Sequence, residues 1–285
     1  MTVSRLDTLT QADVAAVQDL VASATAADGV SSLDEAALLR LTDVHSGGHL
    51  VLGSDRLLGY AQLGDTAALV VHPDARRVGH GSELLAELLG AGPRPLSVWA
   101  HGDLPAAKAL ARAFGLRRSR ELWQLRRLLD ETLPTVTWPS DVTVRSYVPG
   151  ADDATWLALN AEAFADHPEQ GRMTQADLDA RLSSDWFDPA GFFLAERDGR
   201  AVGFHWTKVQ ERGRVGEVYV IGVAPGAQGG GLGRALTLHG LHHLRSTGLR
   251  EVLLYVEADN TPAVAVYERL GFARAAVDVA YTADS

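Results

Sequence analysis

The chain has 285 residues, a formal net charge of −10, 46% hydrophobic residues and no cysteine. That length suits one large domain or two ordinary ones with a packed core, and the missing thiols exclude disulfides and thiolate catalysis. The acidic balance argues against general nucleic-acid binding, which needs a basic face, and is compatible with a cationic amine as substrate.

The opening Met1-Thr2-Val3-Ser4-Arg5-Leu6-Asp7 lacks the apolar stretch of a signal peptide, and no apolar run is long enough to span a bilayer, so a cytoplasmic protein with no membrane partner is expected. Thr10-x-x-Asp13 then reads as a helix start ahead of Val14, Val17 and Leu20. Glu35, in Ser32-Leu33-Asp34-Glu35, reads as an acidic residue in the first turn of a helix. Ala68-Leu69-Val70-Val71-His72-Pro73-Asp74-Ala75-Arg76-Arg77-Val78-Gly79-His80-Gly81 reads as a strand, a glycine turn and the start of a helix. His72 and His80 flank that turn and read as surface or turn residues. A strand at Leu96-Ser97-Val98-Trp99-Ala100 and a helix ending at Ala113-Phe114-Gly115-Leu116 follow.

Asp130–Ser140, with two prolines and several small polar residues, suits a linker. Val142-Thr143-Val144-Arg145 reads as a new first strand, and Thr174-x-x-Asp177 as another capped helix start. The strand ending Val218-Tyr219-Val220-Ile221-Gly222-Val223 leads into Gln228-Gly229-Gly230-Gly231-Leu232-Gly233-Arg234. Next come a strand at Glu251–Glu257, a helix opened by Asp259-Asn260, and its end at Tyr267-Glu268-Arg269-Leu270-Gly271-Phe272.

The two glycine stretches match: Val71 falls on Val223, Pro73 on Pro225, Arg76 on Gln228, Gly79 on Gly231 and Gly81 on Gly233. The chain therefore reads as two tandem α/β domains (mixed α+β), each a mixed central sheet flanked by helices, at 1–130 and 142–285 with a linker at 131–141. A loop of this kind is either a tight strand-to-helix turn or an anion site, because its backbone N–H groups and the helix start suit a diphosphate and glycine lets the ligand come close. It is not a P-loop, since no Lys-Ser/Thr pair follows, and it lacks the G-x-G-x-x-G of dinucleotide-binding folds.

The order of strand, glycine loop, helix, strand, Asn260 and Tyr267-x-x-x-Gly271-Phe272 resembles the GCN5-related N-acetyltransferase (GNAT) family. The resemblance implies acetyl-CoA as acetyl donor, with no metal. It places the cofactor on Ile221, Gly222, Val223, Gln228, Gly229, Gly230, Gly231, Leu232, Gly233, Arg234, Asn260, Thr261, Pro262, Ala263, Val264 and Ala265. The first-copy counterparts are Leu69, Val70, Val71, Arg76, Arg77, Val78, Gly79, His80, Gly81 and Ser82. Gly230 stands where family members often carry a basic residue.

Acetyl transfer to an amine needs a general base, an oxyanion donor and a proton for the departing thiolate. Glu217 is the base candidate and also reads as a solvated strand-end glutamate. Strand alternation puts residues 217, 219, 221 and 223 on one face, which places the Glu217 carboxylate along the same wall as the thioester, directly or through a water. Tyr267, whose phenol has an ordinary pKa of about 10, is the acid candidate and also reads as a core aromatic. A backbone N–H near Val223 is the expected oxyanion donor, and Ile221 and Val223 the expected partners of the pantetheine arm. In the first copy these chemical positions hold Asp65, Leu104 and Ala111 for Glu217, Asn260 and Tyr267, so that copy is expected to be catalytically degenerate.

His239, His242 and His243 share one helix at metal-compatible spacing, but no carboxylate or cysteine cluster accompanies them. Finer features are similar to the tandem members of the family that acetylate the cysteinyl amine of desacetylmycothiol, a cysteine amide on an amino sugar and inositol. They are carried by Ala163–Thr174, Gly191–Ala195, Gly203–Lys208, Gly216–Val220 and Leu254–Asn260. That likeness implies Glu35, Glu169, Lys208, Glu217 and Tyr255 as substrate-binding residues, and a monomer is expected. Lys208 also reads as a strand-edge lysine. A protein N-terminus or aminoglycoside as acceptor, or a non-catalytic CoA-binding module, are the competing readings.

Overall fold

The computed structural model describes residues 3–43, 48–54, 56–64, 66–93, 95–130, 133–165, 167, 170–210 and 214–283. Asp65 and Glu169 lie outside the described residues. In chain order the elements are β1 (Val3–Leu6), α1 (Gln11–Asp28), α2 (Glu35–Arg40), β2 (His49–Leu52), β3 (Gly59–Leu63), β4 (Ala67–Val71), α3 (His80–Ala91), β5 (Leu96–Ala100), α4 (Pro105–Ala113) and β6 (Arg117–Leu128). They continue with β7 (Thr143–Ser146), α5 (Asp153–Ala163), α6 (Gln175–Leu182), β8 (Phe192–Arg197), β9 (Arg200–Val209), β10 (Val215–Val223), α7 (Leu232–Ser246), β11 (Glu251–Glu257), α8 (Thr261–Arg269) and β12 (Ala273–Ala283). Among the described residues no helix is long and apolar enough to cross a membrane.

The chain divides into two compact units. Unit 1 comprises Met1–Trp123, Glu257–Asp259 and Ala276–Ser285, and unit 2 comprises Gln124–Val256 and Asn260–Ala275. In unit 1 the strand order is β1-β2-β3-β4-β5-β12. The strands from β1 to β4 are antiparallel neighbours, whereas β4 and β5 run parallel and pair only at Ala67 and Val98. Strand β12 joins this sheet beside β5, with Val279–Ala283 antiparallel to Ala100–Leu96. One face of the sheet packs Tyr60 and Val70 against Val17, Leu20, Val21 and Ala24 of α1. The other packs Leu50, Leu52 and Ala61 against Leu84, Leu85 and Leu88 of α3. Helix α1 starts at a capping box in which Thr10 and Asp13 satisfy each other's backbone N–H groups, and stops at Gly29 in the left-handed region.

In unit 2 the order is β6-β11-β10-β9-β8-β7, with β7 to β10 antiparallel and β10 parallel to β11. Its larger core is aromatic. Tyr147, Phe192 and Trp206 stack at 4.1 and 4.4 Å, and Trp156 meets Phe192, Phe204 and Trp206 edge-on at 5.6 Å. A smaller core packs Leu232 and Leu236 of α7 against Ile221 and Val223. Thr174 and Asp177 form a second capping box at the start of α6.

Strict alternation along β10 fails. The register with β9 slips between Val218, opposite Thr207, and Val220, opposite Trp206, so Tyr219 is an inserted residue. Tyr219 and Val220 both pack into the Trp206 core, while Ile221 and Val223 turn to α7. A side chain at Gly216 would strike Leu244 of α7, so Glu217 points to the opposite face. Glu217 and Tyr219 thus share a face that Ile221 and Val223 do not.

Candidate active site

Parallel strands β10 and β11 pair from Val215–Glu251 to Val218–Leu254 and then part. Beyond Val218 the β10–β11 register does not continue. A strand edge that parts from its neighbour in this way can receive the amides of an extended ligand arm. Where β10 ends, Pro225–Ala227 form a 3-10 turn, and Gln228 Nε2 donates to Val223 O at 3.1 Å, folding the loop back on the strand. Gly229 and Gly231 both take φ +83°, a conformation disfavoured for any residue with a Cβ.

Gly231 is the N-cap of α7 and offers no side-chain cap, so the N–H groups of the first turn await an acceptor. A Cβ at Gly229, Gly230 or Gly231 would meet nothing within 4 Å, and one at Gly233 only Val223 at 3.8 Å. An open cradle lined by backbone, a helix start and the exposed Arg234 fits the diphosphate of acetyl-CoA.

Unit 1 repeats the geometry. Pro73–Ala75 form the 3-10 turn, Arg76 Nε donates to Val71 O at 3.1 Å, and Gly79 at φ 101° opens α3. Beside the parted β4 and β5 lies a cavity of about 770 Å³. Leu69, Val70, Val71, Arg76, Arg77, Gly79, Gly81 and Ser82 line it, whereas Val78 points to solvent and His80 lies beside Glu83. Arg76 is held in a two-pronged pair with Asp28, both contacts 2.7 Å. His72 is buried, its Nδ1 accepting from Asp74 N, and so caps the turn.

Ala111, in the place of Tyr267, is buried against Val279 and Tyr281. Sequence reasoning missed three groups near this cavity: His101 and Tyr281, which line it, and Asp278, which accepts from His101 and from Gly102 N. Burial lowers the His101 imidazole, but the Asp278 carboxylate, with the charge of Asp34 adding to it, offsets this, so its pKa is raised. No local pattern links His101 to a strand 177 residues downstream.

The acid–base candidates belong to unit 2. Glu217 is only 6% exposed, which removes its reading as a solvated strand-end residue, and Gln210 Nε2 donates to its Oε2 at 2.6 Å. Lys208 lies opposite Glu217 in the β9–β10 ladder, on the same face. Its Nζ sits over the rings of Trp186 and Tyr219, at 4.5 and 5.1 Å from their centroids. Tyr267 is 8% exposed, with its ring edge-on to Phe272, and burial pushes its phenol up to about 12, so it keeps its proton at neutral pH.

Asn260 caps α8, its Oδ1 accepting from Ala263 N at 3.2 Å, which leaves its amide N–H groups to reach a ligand. Thr261 and Pro262 follow on the exposed first turn, and Val264 is buried. Tyr255 is 41% exposed on β11, with its hydroxyl bonded by Gln124 Nε2. Glu35, in unit 1, is the first residue of α2, whose N-cap is Asp34.

The histidines of α7 are packing groups: His239 lies edge-on to Phe193 and Trp138, and His242 Nε2 bonds Pro134 O. Among the described residues no group of three histidine, cysteine or carboxylate side chains is placed to hold a metal.

Residues 156–272 match the model of the acetyltransferase (GNAT) family. The mycothiol acetyltransferase of Streptomyces griseus is 53% identical, the match covering 99% of this chain and 96% of that one. That of Thermomonospora curvata is 54% identical over 96% of this chain and 95% of its own. Among solved structures, a tandem GNAT protein from the clavulanic acid biosynthesis pathway superposes with TM-score 0.73 at 21% identity, covering 99% and 97% of the two chains. A GCN5-related N-acetyltransferase from Sphaerobacter thermophilus gives 0.70 at 24% identity, covering 99% of this chain and 94% of its own, and both likenesses concern the fold alone. With more than half of its residues identical along nearly the full length of such relatives, the chain belongs to the mycothiol acetyltransferase family, and is a GNAT N-acetyltransferase.

Proposed function

We propose that unit 2 transfers an acetyl group from acetyl-CoA to the cysteinyl amine of desacetylmycothiol, with Glu217 as general base and Tyr267 as general acid. The observation that carries the assignment of roles is the contrast between these two groups. One is a buried carboxylate oriented by Gln210, and the other a buried phenol that stays protonated. Acetyl-CoA supplies the activated acyl group as a thioester.

Glu217 takes a proton from the acceptor's ammonium, directly or through a water, which frees the nitrogen lone pair. A backbone N–H near Val223 stabilises the negative charge that develops on the carbonyl oxygen. The freed nitrogen attacks the thioester carbon, and as the carbon–sulfur bond breaks Tyr267 gives its proton to the departing thiolate; the proton that the new amide nitrogen sheds goes to solvent, from which Tyr267 is reprotonated. Gly229 to Arg234 hold the diphosphate, and Ile221 to Val223 the pantetheine arm, with Asn260 to Ala265 on the far side. Lys208 and Tyr255 present polar heads to the acceptor's hydroxyls.

In unit 1, Leu69 to Val71 and Arg76 to Ser82 hold a second CoA without turning it over, because Ala111 supplies no proton.

The test is CoA release by the purified chain with acetyl-CoA and desacetylmycothiol, beside spermidine, a Ser-Ala peptide and an aminoglycoside. Strong turnover with desacetylmycothiol alone is expected. Preference for another amine overturns the acceptor, and no turnover with any overturns the catalytic reading. Glu35→Gln and Glu169→Gln in the same assay test their acceptor-binding roles through the acceptor KM. Titration with CoA tests unit 1: a second binding event should survive Gly231 and Gly233 substitutions and vanish on substitution of Gly79 and Gly81.

A further inference from the structure

We infer that Trp186 is a positioning residue for the acceptor, forming with Tyr219 an aromatic clamp that aims the Lys208 ammonium at a hydroxyl-rich ligand. The inference rests on the reading that Lys208 binds the acceptor.

The clamp is built from three parts of unit 2. Trp186 comes from the segment between α6 and β8, Tyr219 from the bulge of β10, and Lys208 from β9. The two rings meet edge to face at 4.9 Å and 61°, and the Lys208 Nζ lies within cation–π distance of both. Each wall is itself fixed. Trp186 leans on the fully buried Trp206 at 5.6 Å. The Tyr219 hydroxyl accepts from Arg181 Nε at 2.8 Å, while Arg181 Nη1 donates to Asp177 O at 2.7 Å on α6.

Alternation from Glu217 puts the Tyr219 ring on the face that carries Glu217 and Lys208, and the register shift after Val218 keeps Val220 on that face as well while Ile221 and Val223 turn to α7. A lysine side chain loses rotamer freedom when it is ordered. A clamp already present before the ligand arrives carries that cost in the folded protein rather than at binding. Trp186 is partly exposed although it packs on an aromatic core, as a wall residue facing a ligand would be.

The experiment is steady-state kinetics on the full chain with desacetylmycothiol varied at saturating acetyl-CoA. Trp186→Leu should raise the acceptor KM by roughly three- to tenfold, the size of a partly exposed cation–π contact. The KM for acetyl-CoA should stay unchanged, and Trp186→Phe, which keeps a ring face, should restore most of the affinity. In a Lys208→Met background Trp186→Leu should add nothing, because the two act through one ammonium. Arg181→Met removes the tether on Tyr219 without cutting the core, and should raise the same KM by a smaller factor.

Additive effects of Trp186→Leu and Lys208→Met, or equal shifts in both KM values, overturn the clamp. If Lys208→Met raises the acceptor KM but Trp186→Leu and Arg181→Met do not, the clamp alone is wrong. If Lys208→Met leaves it unchanged, the acceptor role of Lys208 falls first.

Discussion

Arg77 and Gly229 occupy the same place in the two glycine loops and hold the same left-handed backbone, at φ 68° and 83°. The neighbouring positions repeat as well: Arg76 and Gln228 use different side chains to reach the same carbonyl, that of Val71 or Val223. The loop shape is therefore set by the strand-to-helix turn and its hydrogen bonds, and the residue type is fitted to it afterwards. For Gly229 the conformation is free of strain, whereas for Arg77 it costs about 1–2 kcal/mol. Arg77→Gly should relieve that strain and raise the calorimetric melting temperature by a few degrees, about 2–4 °C per kcal/mol for a unit of this size. A lower melting temperature would mean that the Arg77 side chain contributes more than its backbone costs.

Gly230 differs from its neighbours. It does not take a positive φ, and a Cβ there meets nothing within 4 Å. The protein itself thus places no steric demand for glycine at this position. Gly230→Arg should fold normally and put a cation beside the first turn of α7, where an anionic ligand is expected. CoA should bind roughly threefold tighter or more in low salt, with the gain shrinking as added salt screens the charge. Calorimetric titration at two salt concentrations checks this. Weaker binding would mean that the ligand occupies the space of the missing side chain.

Local chemistry was the legible part of this chain. Thr10 with Asp13 and Thr174 with Asp177 form the capping boxes their spacing implies, and the two loops carry the same turn and the same left-handed glycine at the helix start. The orientation of β10 was not legible, because one inserted residue at Tyr219 reverses the alternation and leaves no mark in composition. Gln210, Trp186 and Arg181 escaped notice because an oriented amide, a wall and a tether look like any surface or core residue until the strands are paired. Tyr281 and Asp278 escaped for a topological reason. A comparison of the two copies says nothing about which sheet a terminal strand joins, and residues 276–285 belong to unit 1.

His205 gives the fold a pH dependence of known sign. It is fully buried on β9 under α7, its Nδ1–H donates to Leu236 O at 2.7 Å, and its Nε2 has no partner among the described residues. Burial depresses its pKa to about 4, with His239 and His243 on α7 adding to the effect. Because the folded value lies below the unfolded one of about 6.5, the unfolded chain binds the proton first. This contribution is complete above pH 6.5 and is lost as pH falls towards 4, at about 1.4 kcal/mol per pH unit. His239 and His243 are shifted in the same direction, chiefly by burial, although Asp188 opposes it at His243. Urea unfolding at pH 7, 6 and 5 should show a falling midpoint, and His205→Asn should flatten the slope. A midpoint independent of pH in this window would show that the ring is solvated or already charged in the folded state.

Tyr267 offers the most direct separation of binding from chemistry. Its ring is held edge-on to Phe272 and buried, and Tyr267→Phe keeps both features while removing the hydroxyl. Packing and acetyl-CoA affinity should therefore survive, and only the proton for the thiolate should be lost. General acid catalysis contributes roughly 10²- to 10⁴-fold, so single-turnover acetyl transfer should slow by at least about 10². Because burial lifts the phenol to about 12, the wild-type rate should show no alkaline limb from this group between pH 7 and 10. A limb in that range that vanishes in Tyr267→Phe would mean the phenol titrates more easily than its burial implies. Full single-turnover speed in the variant would remove Tyr267 from the reaction and leave the thiolate to depart without a proton from the protein.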